Sequence, residues 1–115
     1  MLQTSIMEID ETALILKLLG DKTRLTMIKM LETNDYCVCE FVEVFKVSQP
    51  AISQHIRKLK DAGLVIEARK GQWIVYSLNR DSNFYPLIRS LLKHLPNQDY
   101  YLQELEEHGL RISCE

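Results

Sequence analysis

The chain has 115 residues, 46% hydrophobic and 26% charged, with a formal net charge of -2. That length suits a single domain with a real core, and the composition excludes disordered, collagen-like and disulfide-scaffold classes. No apolar run approaches the roughly 20 residues that cross a bilayer, no basic flank or cleavage-type signal opens the sequence, and an odd three cysteines suit reduced thiols rather than a disulfide framework. A cytoplasmic protein with no membrane partner is expected.

Residues 8–19 hold a nearly unbroken apolar run, Ala13-Leu14-Ile15-Leu16 and then Leu18-Leu19. A helix apolar all round is a buried one, and the expected burial is a subunit interface. Gly20 reads as a helix stop and Asp21 as the N-cap of the next helix, about 22–33, with Leu25, Ile28 and Leu31 on one face. Asn34-Asp35 reads as a turn, and a short helix over about 38–45 carries Phe41, Val42 and Phe45. Ser48 is a good N-cap, Pro50 falls in a first turn where its missing N–H does no harm, and Ile52, Ile56 and Leu59 form a buried stripe that Gly63 ends. Leu64–Arg69 and Trp73–Leu78 are β-rich runs around a Lys70-Gly71-Gln72 turn. Phe84, Leu87, Ile88, Leu91, Leu92 and Leu95 then repeat at helical spacing, Pro96-Asn97 breaks the repeat, and Tyr101, Leu102 and Leu105 begin a last helix. The fold class is mainly α with a β-hairpin wing: one winged helix-turn-helix domain over 1–115, homodimeric. Its recognition helix spans about 48–62, its wing about 64–78, and its dimerisation helices about 8–19 and 83–107.

A negative total charge argues against a nucleic-acid binder, but the distribution reverses that reading. Residues 1–45 carry -4, residues 46–72 carry +4 and residues 73–115 carry -2. The positive charge is concentrated where phosphate contacts need it. Gln49, Ser53 and Gln54 supply short or planar polar groups for base edges near the start of the 48–62 helix. Arg57, Lys58 and Lys60 suit phosphates, which position rather than specify. Arg69, Lys70 and Gln72 in the wing suit the backbone or minor groove. The expected partner is double-stranded operator DNA bearing an inverted repeat.

Cys37-Val38-Cys39 lies about ten residues ahead of that helix. Thiolate selects soft ions. Cysteines at i and i+2 sit about 200° apart on a regular helix, so they share one ion only at a frayed or distorted helix start. A helix N-terminus is also expected to lower a thiol pKa.

The chain resembles the ArsR/SmtB family of metal-responsive winged-helix repressors across nearly its whole length. The resemblance rests on Leu18-Leu19-Gly20-Asp21-Lys22-Thr23-Arg24, Tyr36-Cys37-Val38-Cys39-Glu40 and Val47-Ser48-Gln49-Pro50-Ala51-Ile52-Ser53-Gln54-His55. It continues through Leu59-Lys60-Asp61-Ala62-Gly63-Leu64-Val65 and Arg69-Lys70-Gly71-Gln72-Trp73. It implies a homodimer that represses its own operon and leaves DNA on binding a metal ion. Asp21, Thr23 and Arg24 read as structural, a cap and surface ion pairs. Arsenite-sensing members carry a third cysteine three residues after the second, where this chain has Val42. Cys114 is the one other thiol able to join Cys37 and Cys39 as a ligand. Cadmium and lead sensors add N-terminal cysteines, absent from residues 1–36. Zinc sensors use Asp/His sets where this chain has Asn83 and Tyr85, with His94 alone, and His55 and His108 look no better.

The sequence therefore predicts a repressor released by arsenite or antimonite, needing no other cofactor, with cadmium or lead as the next inducers. A thiol redox sensor on the same fold is an alternative, and a metal-handling protein that does not bind DNA ranks below it. An enzyme is not expected, because no nucleophile–base pair, phosphate loop or paired-acid constellation occurs.

Overall fold

A computed structural model describes residues 8–109. Helix α1 (Ile9–Leu19) is followed by α2 (Lys22–Leu31), α3 (Val38–Phe45) and α4 (Gln49–Asp61), then by β1 (Val65–Lys70) and β2 (Trp73–Leu78), and finally by α5 (Tyr85–Leu92) and α6 (Asp99–Glu107). This is a mainly helical fold closed by a two-stranded antiparallel hairpin, a winged helix-turn-helix.

Local chemistry sets most of the boundaries. Asp21 caps α2 by accepting the Arg24 backbone N–H at 3.0 Å, and Ser48 caps α4 through the Ala51 N–H at 3.3 Å. After α4, Gly63 takes φ +77°, and the Leu64 N–H reaches the Leu59 carbonyl at 3.0 Å while the Gly63 N–H reaches Lys60 at 2.9 Å. These paired bonds form the Schellman turn that glycine permits, and they aim the chain directly into β1. Strand pairing runs from Val65↔Leu78 to Lys70↔Trp73, so the wing turns on only two residues, Gly71 and Gln72.

The core collects Met27, Ile28 and Leu31 from α2, Phe41 from α3, Ile52, Ile56 and Leu59 from α4, and Ile88 and Leu92 from α5. Each such side chain contributes roughly 1.5–3 kcal/mol on burial, so the α4 stripe alone fixes which face of that helix stays outside. The departure from the sequence reading lies in α2. Helix α2 stops at Leu31, and its buried face draws on Met27 and Met30 while Leu25 lies only partly covered. Pro96 and Asn97 separate α5 from α6, leaving two short helices in the 83–107 stretch. Helix α1 buries only Ile15 and Leu19 within the chain, leaving Ile9, Leu14 and Leu16 exposed. No helix among the described residues is long and apolar enough to cross a membrane.

Candidate nucleic-acid interface and thiol site

Helix α4 presents three longitudinal zones. Ile52, Ile56 and Leu59 face the core. Gln49, Ser53, Arg57 and Lys60 recur at helical spacing on the flank beside them, and Ser53, Arg57 and Lys60 line a cleft of about 310 Å3 shared with Glu67 and Tyr76 of the wing. Gln54 and Lys58 occupy the outermost face. Of the nine residues expected to meet DNA, Ser53 is half-buried, and Gln49, Gln54, Arg57, Lys58, Lys60, Arg69, Lys70 and Gln72 are exposed. Two of the cations have acidic neighbours. Lys60 Nζ lies 2.8 Å from the Glu67 carboxylate, which ties α4 to β1 and raises the Lys60 pKa. Lys70 Nζ lies 3.9 Å from Asp35.

The opposite flank of α4 is anchored by His55. Arg24 Nη1 lies 3.0 Å from His55 Nδ1, and Arg24 Nε donates to the Leu18 carbonyl at 2.7 Å. The sequence reading placed Arg24 in a surface ion pair. Instead it is half-buried and joins the end of α1 to α2 and α4. Burial is the main reason the His55 pKa is lowered, with Arg24 and Lys58 adding repulsion and Asp21 opposing them. The Asp21 pKa is lowered in turn, chiefly by the Arg24 backbone N–H.

Cys37 is the N-cap of α3, in extended backbone (φ -98°, ψ 168°), and Cys39 belongs to the first turn. Leaving the helix at Cys37 removes the angular separation a regular helix would impose, and the two Sγ atoms lie 2.8 Å apart. Cys37 is buried and Cys39 exposed. A capping box holds the turn: Glu40, itself buried, accepts the Cys37 backbone N–H at 2.9 Å. The lowered thiol pKa expected at this helix start does not hold for Cys37. Burial pushes it up to about 12, the hydrogen bond with Cys39 and the Glu40 charge add to that, and the backbone N–H of Glu40 opposes. Desolvation outweighs the helix terminus here. A thiophilic ion held here would have to displace the Cys37 proton.

Tyr36, immediately before the pair, forms an antiparallel bridge with Tyr76 of β2, through Tyr36 N–H to Tyr76 O at 3.2 Å and Tyr76 N–H to Tyr36 O at 2.8 Å. The thiol turn is thus hydrogen-bonded to the wing and continuous with α3, which packs on α4. Val42 is half-buried against the core, and Cys114 lies outside the described residues. Among the described residues no group of three His, Cys, Asp or Glu is arranged to hold a metal ion. His94 and His108 are exposed. Sequence reasoning missed the Tyr36–Tyr76 bridge, the Arg24–His55 contact and the Lys60–Glu67 pair. Each joins residues too far apart for local periodicity to signal.

Residues 21–67 match the model of the family described as bacterial regulatory protein, arsR family. The chain is 38% identical over 73 residues to the arsenic resistance transcriptional regulator ArsR1 of Pseudomonas putida, a match covering 63% of this chain and 57% of that protein. It is 37% identical over 73 residues to the arsenical resistance operon repressor of Staphylococcus aureus, covering 64% and 70% respectively. Among solved structures, HlyU from Vibrio cholerae superposes with a TM-score of 0.64 at 29% identity, covering 76% of this chain and 96% of that one.

Proposed function

The chain belongs to the arsR family of bacterial regulatory proteins, and from that premise we propose that it is an operator-binding repressor released from DNA by a thiophilic metalloid, arsenite or antimonite. The observation that carries the inducer reading is the 2.8 Å approach of Cys37 and Cys39 at the head of α3. Two soft donors already converge there, which fits arsenic or antimony better than a hard ion. Cys114 supplies the third ligand, from its own subunit or the partner. In a homodimer two α4 helices enter successive major grooves of an inverted repeat, with half-sites roughly 10 bp apart or a multiple. Gln49, Ser53 and Gln54 read bases, and Arg57, Lys58, Lys60, Arg69, Lys70 and Gln72 hold the backbone.

The release follows from what surrounds the thiols. Pulling both sulfurs onto one ion redraws the first turn of α3. That turn leads directly into Tyr36 and the wing, and α3 packs on α4. A ligand that favours the redrawn turn lowers DNA affinity by its coupling energy, typically about 1–3 kcal/mol.

The test is release from the promoter of the chain's own gene, titrated under reducing conditions with arsenite, antimonite, cadmium, lead and zinc. Arsenite or antimonite should act at the lowest concentration, with a weaker response in Cys114→Ser. The double variant Cys37→Ser/Cys39→Ser should bind DNA as wild type does and resist every ion; release that persists in it would reject the thiol site. First release by cadmium or lead would reassign the inducer. The same short sulfur–sulfur approach supports a second reading, oxidation of the pair, which release by peroxide without any response to arsenite would select.

A further inference from the structure

Tyr76 is held from both sides. Its backbone N–H donates to the Tyr36 carbonyl at 2.8 Å, its own carbonyl accepts the Tyr36 N–H at 3.2 Å, and on the other side it stands opposite Glu67 of β1. Because Tyr36 takes both backbone polar groups, the pair with Glu67 is of the closer, non-hydrogen-bonded kind, and the two side chains share one face of the hairpin. That face is the wing's wall of the cleft beside α4, and Ser53, Arg57, Lys60 and Asp61 line the helix side. Lys60 reaches across to Glu67 at 2.8 Å. The side chains of Ser53 and Arg57 have no hydrogen-bond or ion-pair partner among the described residues.

The cleft thus gathers groups that donate hydrogen bonds: two hydroxyls, a guanidinium and an ammonium. Burial, and then the charge of Glu67, raise the Tyr76 pKa, so the phenol keeps the proton it would donate. We infer that the Tyr76 hydroxyl is a further operator contact, donating to a phosphate of the DNA backbone in this cleft, and that the Glu67 carboxylate holds the same seat until DNA displaces it. This rests on the reading that α4 and the wing bind DNA. Asp61 and Glu67 balance Arg57 and Lys60, so the cleft is formally neutral and offers a free anion no net attraction. A backbone phosphate differs, because contacts to Lys58, Arg69 and Lys70 deliver it at high effective concentration. Tyr76 suits the task because its side chain has few rotatable bonds and its backbone is pinned between Tyr36 and β1, so little freedom is lost on binding.

The test is affinity for a labelled duplex of the chain's own promoter and for a scrambled duplex, by fluorescence anisotropy, for wild type, Tyr76→Phe, Glu67→Gln and the double variant. Tyr76→Phe keeps the ring and the backbone pairing. It should lose about fivefold or more in affinity, equally on both duplexes, because a phosphate contact carries no sequence information. Its salt slope should match wild type, because a neutral donor releases no counterion. The loss should be larger in the Glu67→Gln background, where no carboxylate competes for the seat. Wild-type affinity in Tyr76→Phe overturns the contact and leaves DNA binding standing. So does a loss that vanishes in the Glu67→Gln background, since the hydroxyl then acts only through Glu67. A loss confined to the promoter duplex overturns the phosphate assignment. Competition by inorganic phosphate beyond that of chloride at equal ionic strength makes the cleft a free-anion site and overturns it as well. Failure of the wild type to bind either duplex overturns the DNA reading together with the contact.

Discussion

His55 shows how one side chain can tie α4, the helix proposed to face DNA, to the body of the protein. Its Nδ1 meets Arg24 Nη1 at 3.0 Å, an arrangement that suits a neutral imidazole accepting from a guanidinium and turns repulsive once the ring is protonated. The lowered pKa has the same sense, with burial the main cause. As pH falls through the ordinary histidine value of 6.5, the unfolded chain takes up a proton that the folded chain resists, so native stability declines until the lowered folded-state pKa is passed. Above 6.5 the contribution is fully present. Thermal melts from about pH 8 to about pH 5 should lose midpoint temperature in that window, and His55→Gln should flatten the loss. An unchanged slope in His55→Gln would assign the dependence to another group. Asp21 is the acidic neighbour that moderates the effect, and Lys58 the second cation that sharpens it.

At the scale of elements, α4 and the wing are joined by a bond that competes with their proposed task. Lys60 and Glu67 are both exposed, so solvent screens their pair and it adds little to stability, while the carboxylate occupies a cation proposed to hold phosphate. Glu67→Gln should leave the melting temperature nearly unchanged and tighten operator binding. It should also steepen the salt dependence by about one phosphate contact. Equal affinity and equal salt slope would mean that Lys60 does not reach DNA. The elements themselves were legible because their signals are local: Asp21 and Ser48 as caps, Gly63 as a stop, and Ile52, Ile56 and Leu59 at helical spacing. The thiol turn was half legible. Geometry required Cys37 and Cys39 to leave regular helix in order to meet, and Cys37 does so as the N-cap. Its burial, which reverses the expected thiol pKa, comes from packing by distant elements and leaves no trace in the neighbouring sequence. The Tyr36–Tyr76 bridge was hidden for the same reason.

For the whole molecule, the decisive feature is the apolar surface that one chain leaves uncovered on α1. Ile9 is 83% exposed and Leu16 51% on one flank of the helix, and Leu14 67% on the other, while Ile15 and Leu19 between the flanks are already in the core. Such a surface is costly in water and marks an interface. The inverted-repeat operator proposed above would call for the same two-fold arrangement, with two α4 helices held one helical turn of DNA apart or a multiple. Dimerisation through α1, as proposed, would cover these side chains and supply that arrangement. Leu14→Glu/Leu16→Glu places charge there without touching the core. The wild type should sediment as a dimer and the variant as a monomer with unchanged helical circular dichroism. Operator affinity should then fall by about 100-fold or more, as each half-site is bound without the effective concentration its twin supplied. A variant that stays dimeric would move the interface to α5 and α6, whereas a monomeric wild type with full operator affinity would remove the dimer from the mechanism altogether.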